Sequence, residues 1–155
     1  MELAPNDTQS FKRTEDYEAV KELAIRAGLD SKDKSVEDIV AAFGYYLDGR
    51  LMGCAALEYE DGQHFLEWVA VDSGIRMRGV GASLVALVEG EARARGMTEL
   101  WAKARVPEFY RSIGFRVIGE KEKGLKTLEG CIGCPEFNTS CHPAIVIKDV
   151  REKPL

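Results

Sequence analysis

The stretch Glu67-Trp68-Val69-Ala70-Val71-Asp72-Ser73-Gly74-Ile75-Arg76-Met77-Arg78-Gly79-Val80-Gly81-Ala82 organises the chain. An apolar run suited to a buried strand closes at Val71. A short polar turn follows, and then a glycine-spaced loop opens an amphipathic helix pattern that runs from Ala82 to Arg95. A strand that feeds a glycine-rich loop at a helix start is built to hold phosphate. The glycines let the backbone approach the anion, and the first helical N–H groups point at it. On the glycines alone, a phosphate cradle and a plain tight connection between strand and helix are equally open.

Two nucleotide motifs fail against this loop. A dinucleotide fingerprint needs a third glycine and an acidic residue at the end of the next strand. Leu84 stands where that glycine would be, and the strand near Leu100–Lys103 ends in bases. A phosphate loop of the Gly-Lys-Ser/Thr type needs a lysine that Gly81-Ala82-Ser83 lacks.

The pattern Arg76-x-x-Gly79-x-Gly81 resembles the acetyl-CoA loop of the GCN5-related N-acetyltransferases, the GNAT family. Val69-Ala70-Val71 matches that family's Leu-Ala-Val strand end. Phe109-Tyr110-Arg111-Ser112-Ile113-Gly114-Phe115 is similar to its Phe-Tyr-x-x-x-Gly-Phe segment. One helix and one strand separate the two motifs, as in the family, and the resemblance covers Tyr45 to Gly119. It implies an α/β (α+β) GNAT fold: one domain over residues 1–150 with a tail at 151–155, and a mixed, mainly antiparallel sheet flanked by helices. It also implies acetyl-CoA as cosubstrate and N-acetylation of a primary amine. Many members carry an asparagine between the strand near Lys103 and the tyrosine helix. Lys103-Ala104-Arg105-Val106-Pro107 has none, which removes one expected coenzyme contact.

Composition is that of an ordinary soluble globular protein. The chain has 155 residues, 45% hydrophobic and 30% charged, enough for one domain with a real core. No apolar run reaches membrane-spanning length, and the start Met1-Glu2-Leu3-Ala4-Pro5 has no signal-peptide pattern. A cytoplasmic protein with no membrane partner is the expectation. The net charge of -5 argues against nucleic acid. Residues 76–116 nevertheless hold 8 Lys/Arg against 4 Asp/Glu, a basic excess in the segment that would meet the coenzyme phosphates. A homodimer is compatible with the sequence.

Along the chain, Ser10–Arg13 reads as a strand and Thr14 as the cap of a helix that Gly28 stops. Ser35-Val36-Glu37-Asp38 reads as the opening of a second helix, with Ile39, Val40 and Phe43 on its apolar side. Asp48-Gly49 predicts a hairpin, Asp61-Gly62 another turn, and His64–Val71 a strand. A strand at Glu99–Lys103, a short helix at Val106–Ile113, and strands at Phe115–Ile118 and Ala144–Ile147 complete the pattern.

Acetyl transfer needs a deprotonated amine, a stabilised oxyanion and a proton for the departing thiolate. By the resemblance, the backbone of Val69, Ala70 and Val71 holds the pantetheine arm. The loop Arg76, Met77, Arg78, Gly79, Val80, Gly81 and Ala82 holds the pyrophosphate. Tyr110 stands at the family's tyrosine and is the candidate general acid; its helical spacing with Val106, Phe109 and Ile113 also suits a core aromatic. Glu67 is the candidate base, because alternation places Phe65, Glu67, Val69 and Val71 on one face of an apolar strand. Pairing with an arginine is the competing role for Glu67, and Glu58 and Glu60 are its alternatives as base.

Cys54 reads as a small buried residue. Cys131, Cys134, Cys141 and His142 fall within 12 residues and could close one tetrahedral zinc site. Three packed reduced thiols are equally consistent with the spacing, and one disulfide plus a free thiol is disfavoured in a cytoplasmic protein. The run is also similar to a Cys-rich tail of short amino-acid N-acetyltransferases, which implies a small amino acid or related metabolite as acceptor. Acetylation of a protein N-terminus or lysine, a non-catalytic acetyl-CoA sensor, and a module built on the cysteine cluster remain as alternatives.

Overall fold

Asp48 and Gly49 take φ values of 50° and 80°. This left-handed pair gives a two-residue turn whose twist matches that of the flanking strands. It joins β2 (Ile39–Leu47) to β3 (Arg50–Glu60). The computed structural model describes residues 8–29, 35–60, 62–75, 79–104, 107–118 and 144–151. Within it, β1 (Gln9–Arg13) pairs with β2, and β4 (Gln63–Val71) with β3, all antiparallel. β5 (Glu99–Ala104), β6 (Arg116–Ile118) and β7 (Ala144–Asp149) complete a seven-stranded sheet of order β1-β2-β3-β4-β5-β7-β6. β4 and β5 are the parallel pair, so the sheet is mixed and mainly antiparallel, as expected.

Three helices cover it. α1 (Tyr17–Arg26) packs Val20, Leu23 and Ala24 against Cys54, Ala56 and Trp68 on one face. α2 (Val80–Ala94) buries Leu84, Val85 and Val88 against Leu57, Leu66 and Leu100 on the other. The short α3 (Pro107–Ser112) lies on the α2 face, with Phe109, Tyr110 and Ile113 against the same core. Pro107 suits its place as first residue, since its missing N–H would have no helical partner there.

The structure corrects three sequence expectations. The second helix does not form. Ser35 does cap, its hydroxyl accepting from the Glu37 N–H at 3.0 Å, but only one 3-10 turn follows at Val36–Asp38. The chain then enters β2, where Ile39 pairs with Glu58 and Ala41 with Leu57. β2 is covered on both faces, so its apolar residues fall at spacings that mimic a helix. The cap of α1 is Asp16, which accepts from the Ala19 N–H at 3.1 Å, rather than Thr14. The Thr14 N–H is still held by the sheet, donating to the Ala42 oxygen at 2.9 Å.

The third correction concerns β4. Ala56 faces Glu67, but Cys54 faces Ala70. Three residues of β4 therefore advance against two of β3, which is a β-bulge. Trp68, at φ 52°, absorbs it. Alternation flips at this point: Trp68 and Ala70 join the α1-side core, while Val69 and Val71 pack on the α2 side. Glu67 and Val69 therefore do not share a face. The Cys54 thiol donates to the Trp68 carbonyl at 3.2 Å and braces the bulge.

Candidate active site

Among the described residues, the β4–β5 register consists of Phe65 opposite Trp101. Beyond it each strand stays paired on its outer side, β4 to β3 through Gly53–Val71 and β5 to β7 through Ala104–Ala144. The two strands thus part towards their C-terminal ends and leave a wedge. Val69, Ala70 and Val71, expected along a pantetheine arm, line the β4 side of it.

The chain leaves β4 through a 3-10 turn at Ser73–Ile75, where the Asp72 carboxylate accepts from the Gly74 N–H at 3.0 Å. It enters α2 at Gly79, which holds φ 73° and gives the helix no side-chain cap. The first N–H groups of α2, from Val80 to Ala82, therefore have no side-chain acceptor at Gly79. A Cβ built on Gly79 would meet nothing within 4 Å, so the approach is open. At Gly81 the same atom would lie 3.4 Å from the Phe109 Cζ and 3.8 Å from the Val71 Cγ2. The first turn of α2, the end of β4 and α3 therefore converge at one point. Arg76, Met77 and Arg78 lie outside the described residues.

Tyr110 is half-buried, its ring 5.2 Å from Phe109 and 5.5 Å from Phe115, both edge-on. Burial pushes its phenol up to about 12, and the negative charge of Glu67 pushes it the same way. The hydroxyl therefore keeps its proton throughout the neutral range. Glu67 is half-buried, and one of its carboxylate oxygens accepts from the Trp68 N–H at 3.3 Å. Tyr110 arrives from the α2 side, whereas Glu67, opposite Ala56 in the ladder, belongs to the α1 side. The negative charge of Glu67 is felt at the Tyr110 phenol.

Cys54 is fully buried, and burial lifts its thiol from 9.0 to about 12, which makes it unreactive. Cys131, Cys134, Cys141 and His142 lie outside the described residues. Among the described residues no group of three or more His, Cys, Asp or Glu side chains is placed to hold a metal ion, and no helix is long and apolar enough to cross a membrane. A cleft of about 370 Å³ opens between α1 and the start of β3, lined by Glu22, Arg26, Arg50 and Asp72 among others. Neither Glu67 nor Tyr110 is among its lining residues, so this cleft is separate from the Glu67–Tyr110 centre. Sequence reading overlooked Phe109 as a wall of the loop. The signal was its place in the same aromatic segment as Tyr110.

The Acetyltransferase (GNAT) family model matches residues 6–115. The chain belongs to the GNAT acetyltransferase family. The sheet order and helices above are its GNAT fold. The domain of N-acetylglutamate synthase from Neisseria gonorrhoeae, complexed with coenzyme A and N-acetyl-glutamate, superposes with a TM-score of 0.69 at 18% identity, over 97% of this chain and 36% of that one. This GNAT chain therefore spans about a third of the synthase. The ribosomal-protein-S18-alanine N-acetyltransferase from Escherichia coli matches at 0.64 and 19%, over 96% of each chain. A GNAT family acetyltransferase from Elizabethkingia anophelis with acetyl-CoA bound matches at 0.65 and 18%, over 94% and 99%.

Proposed function

We propose that the chain moves the acetyl group of acetyl-CoA to the primary amine of a small amino acid or related metabolite by direct attack. The observation that carries this reading is the wedge past Phe65–Trp101, with the Tyr110 phenol and the Glu67 carboxylate interacting across it. The Gly79 opening fits the coenzyme. Its side is bare, its helix end lacks a side-chain cap, and backbone N–H groups at such an end suit a pyrophosphate. Arg76 and Arg78 add positive charge in sequence, and Val69, Ala70 and Val71 offer backbone to the pantetheine arm.

Glu67, directly or through a water, takes the proton that the acceptor ammonium must lose. The neutral amine attacks the thioester carbon, and backbone N–H groups at the wedge meet the oxyanion. Collapse breaks the C–S bond, and Tyr110 gives its proton to the sulfur. The nitrogen sheds its second proton to the phenolate as the amide forms. The products are the acetamide and free coenzyme A thiol, with the carboxylate's proton returned to solvent. The N-acetyl-glutamate held by the Neisseria gonorrhoeae enzyme supports the small-acceptor class.

Calorimetric titration with acetyl-CoA, with coenzyme A and ATP as controls, tests the coenzyme half. Saturable binding of both coenzyme forms with much weaker ATP is expected. Absence of binding would reduce the 76–82 loop to a turn. A screen of amino acids, polyamines and peptides then tests the acceptor, and turnover on peptides alone would overturn the small-metabolite reading.

A further inference from the structure

Glu89 on α2 and Lys148 on β7 form an ion pair at 2.9 Å, with side chains 12% and 25% exposed. Neither residue belongs to the coenzyme loop or to the Glu67–Tyr110 pair. The Lys148 ammonium also donates to the Ile113 carbonyl at 2.7 Å, at the C-terminal end of α3. It lies 5.9 Å from the Phe115 ring centroid, and a Cβ on Gly114 would fall 3.1 Å from its Cε. One cation therefore ties the sheet, the coenzyme-side helix and the end of the tyrosine helix together.

α3 needs such a tie. Its six residues are too few to hold a helix in water unaided. The Ile113 carbonyl just past its end takes the Lys148 ammonium, and a cation suits that end of the helix dipole. The tie reaches Tyr110 in one step. The Ile113 and Phe115 N–H groups donate back to the Tyr110 carbonyl at 3.2 and 2.9 Å, and Phe115 packs edge-on against the Tyr110 ring.

We propose that Glu89 and Lys148 are positioning residues that set the Tyr110 hydroxyl against the β4–β5 wedge by clamping the end of α3 to α2 and β7. A partly buried pair between α2 and β7, whose cation also holds the end of α3, is well suited to fixing geometry, since the three are joined through one ammonium. The inference rests on the acid role proposed for Tyr110.

The test combines Lys148→Met and Glu89→Gln with Tyr110→Phe, measuring thiol release from acetyl-CoA in a mixture of the common amino acids. Hydrogen exchange across 107–115 is followed in parallel. With Tyr110 present, either clamp variant should lower kcat about tenfold or more through misplacement, with acetyl-CoA affinity within about twofold. In the Tyr110→Phe background the same variants should cost less than about twofold, because the group they place is gone. Exchange across α3 should quicken in both. Equal kcat losses in the two backgrounds, or unchanged exchange, overturn the proposal. A Tyr110→Phe chain at full rate instead overturns the acid role itself, so the two failures are distinguishable. Glu89→Gln keeps an acceptor at the site and serves should Lys148→Met fail to fold.

Discussion

The Tyr110 phenol titrates in the field of Glu67. Burial and, to a lesser degree, the Glu67 carboxylate together move it up to about 12. The two residues come from different elements and approach from opposite faces of the sheet, so neither motif alone could have paired them. Their coupling gives the first two predictions.

Tyr110→Phe should lower turnover about a hundredfold, the lower end of what a positioned acid supplies. Acetyl-CoA affinity should stay within about twofold, and the ring keeps its contacts with Phe109 and Phe115. Steady-state rates with calorimetry decide the matter. An unchanged rate would leave Tyr110 as a core aromatic.

Glu67→Gln should lose most activity at neutral pH and recover as the amine deprotonates itself at high pH. It should also let Tyr110 ionise at a lower pH, because a charge opposing the phenolate is gone. The second effect is read from phenolate absorbance, with Tyr110→Phe as the blank. A uniform rate loss across pH would argue against a base.

Cys54 ties folding to alkaline pH. Its thiol titrates at about 12 in the folded chain against 9.0 unperturbed. The folded state therefore favours the neutral form, a contribution complete below pH 9.0 and lost as pH rises to about 12. Each pH unit of separation is worth about 1.4 kcal/mol. Cys54→Ala should cost about 1 kcal/mol at pH 7 through lost packing, and between pH 9 and 12 it should close that gap and become the more stable chain, as measured by urea unfolding. Parallel stability curves for the two chains would remove the thiol from the account.

Gly79→Ala should destabilise by about 1 kcal/mol, since φ 73° strains any residue with a Cβ. It should weaken acetyl-CoA more than that by crowding the open approach. If affinity falls no further than stability predicts, the cradle reading of Gly79 fails.

Local chemistry was legible in the sequence. Asp48-Gly49 marked its hairpin, because two left-handed residues in succession leave few other choices. Gly79-x-Gly81 and Phe109–Phe115 were legible because each is a continuous local segment of the chain. β2 was not. Ile39 to Phe43 are packed from both sides, and two-sided burial erases the period that separates strand from helix. The flip at Trp68 was hidden too. A bulge is a count of β4 against β3, and nothing near Trp68 records what stands opposite. The same holds for Glu89 and Lys148, which meet only once the sheet has formed.

The bulge also sets how this chain tolerates changes in length. The single extra residue at Trp68 keeps Val69 and Val71 turned to one core and Ala70 to the other. Flattening the bulge with all residues kept would exchange those assignments along the rest of β4 and bring valines under α1. Deleting Trp68 would instead leave Val69, Ala70 and Val71 on their own sides and cost the α1 core its indole. A one-residue insertion at the Asp48-Gly49 turn would meet solvent instead. An added residue at the turn and a flattened bulge in β4 therefore differ in kind: the first meets water, the second turns a strand inside out.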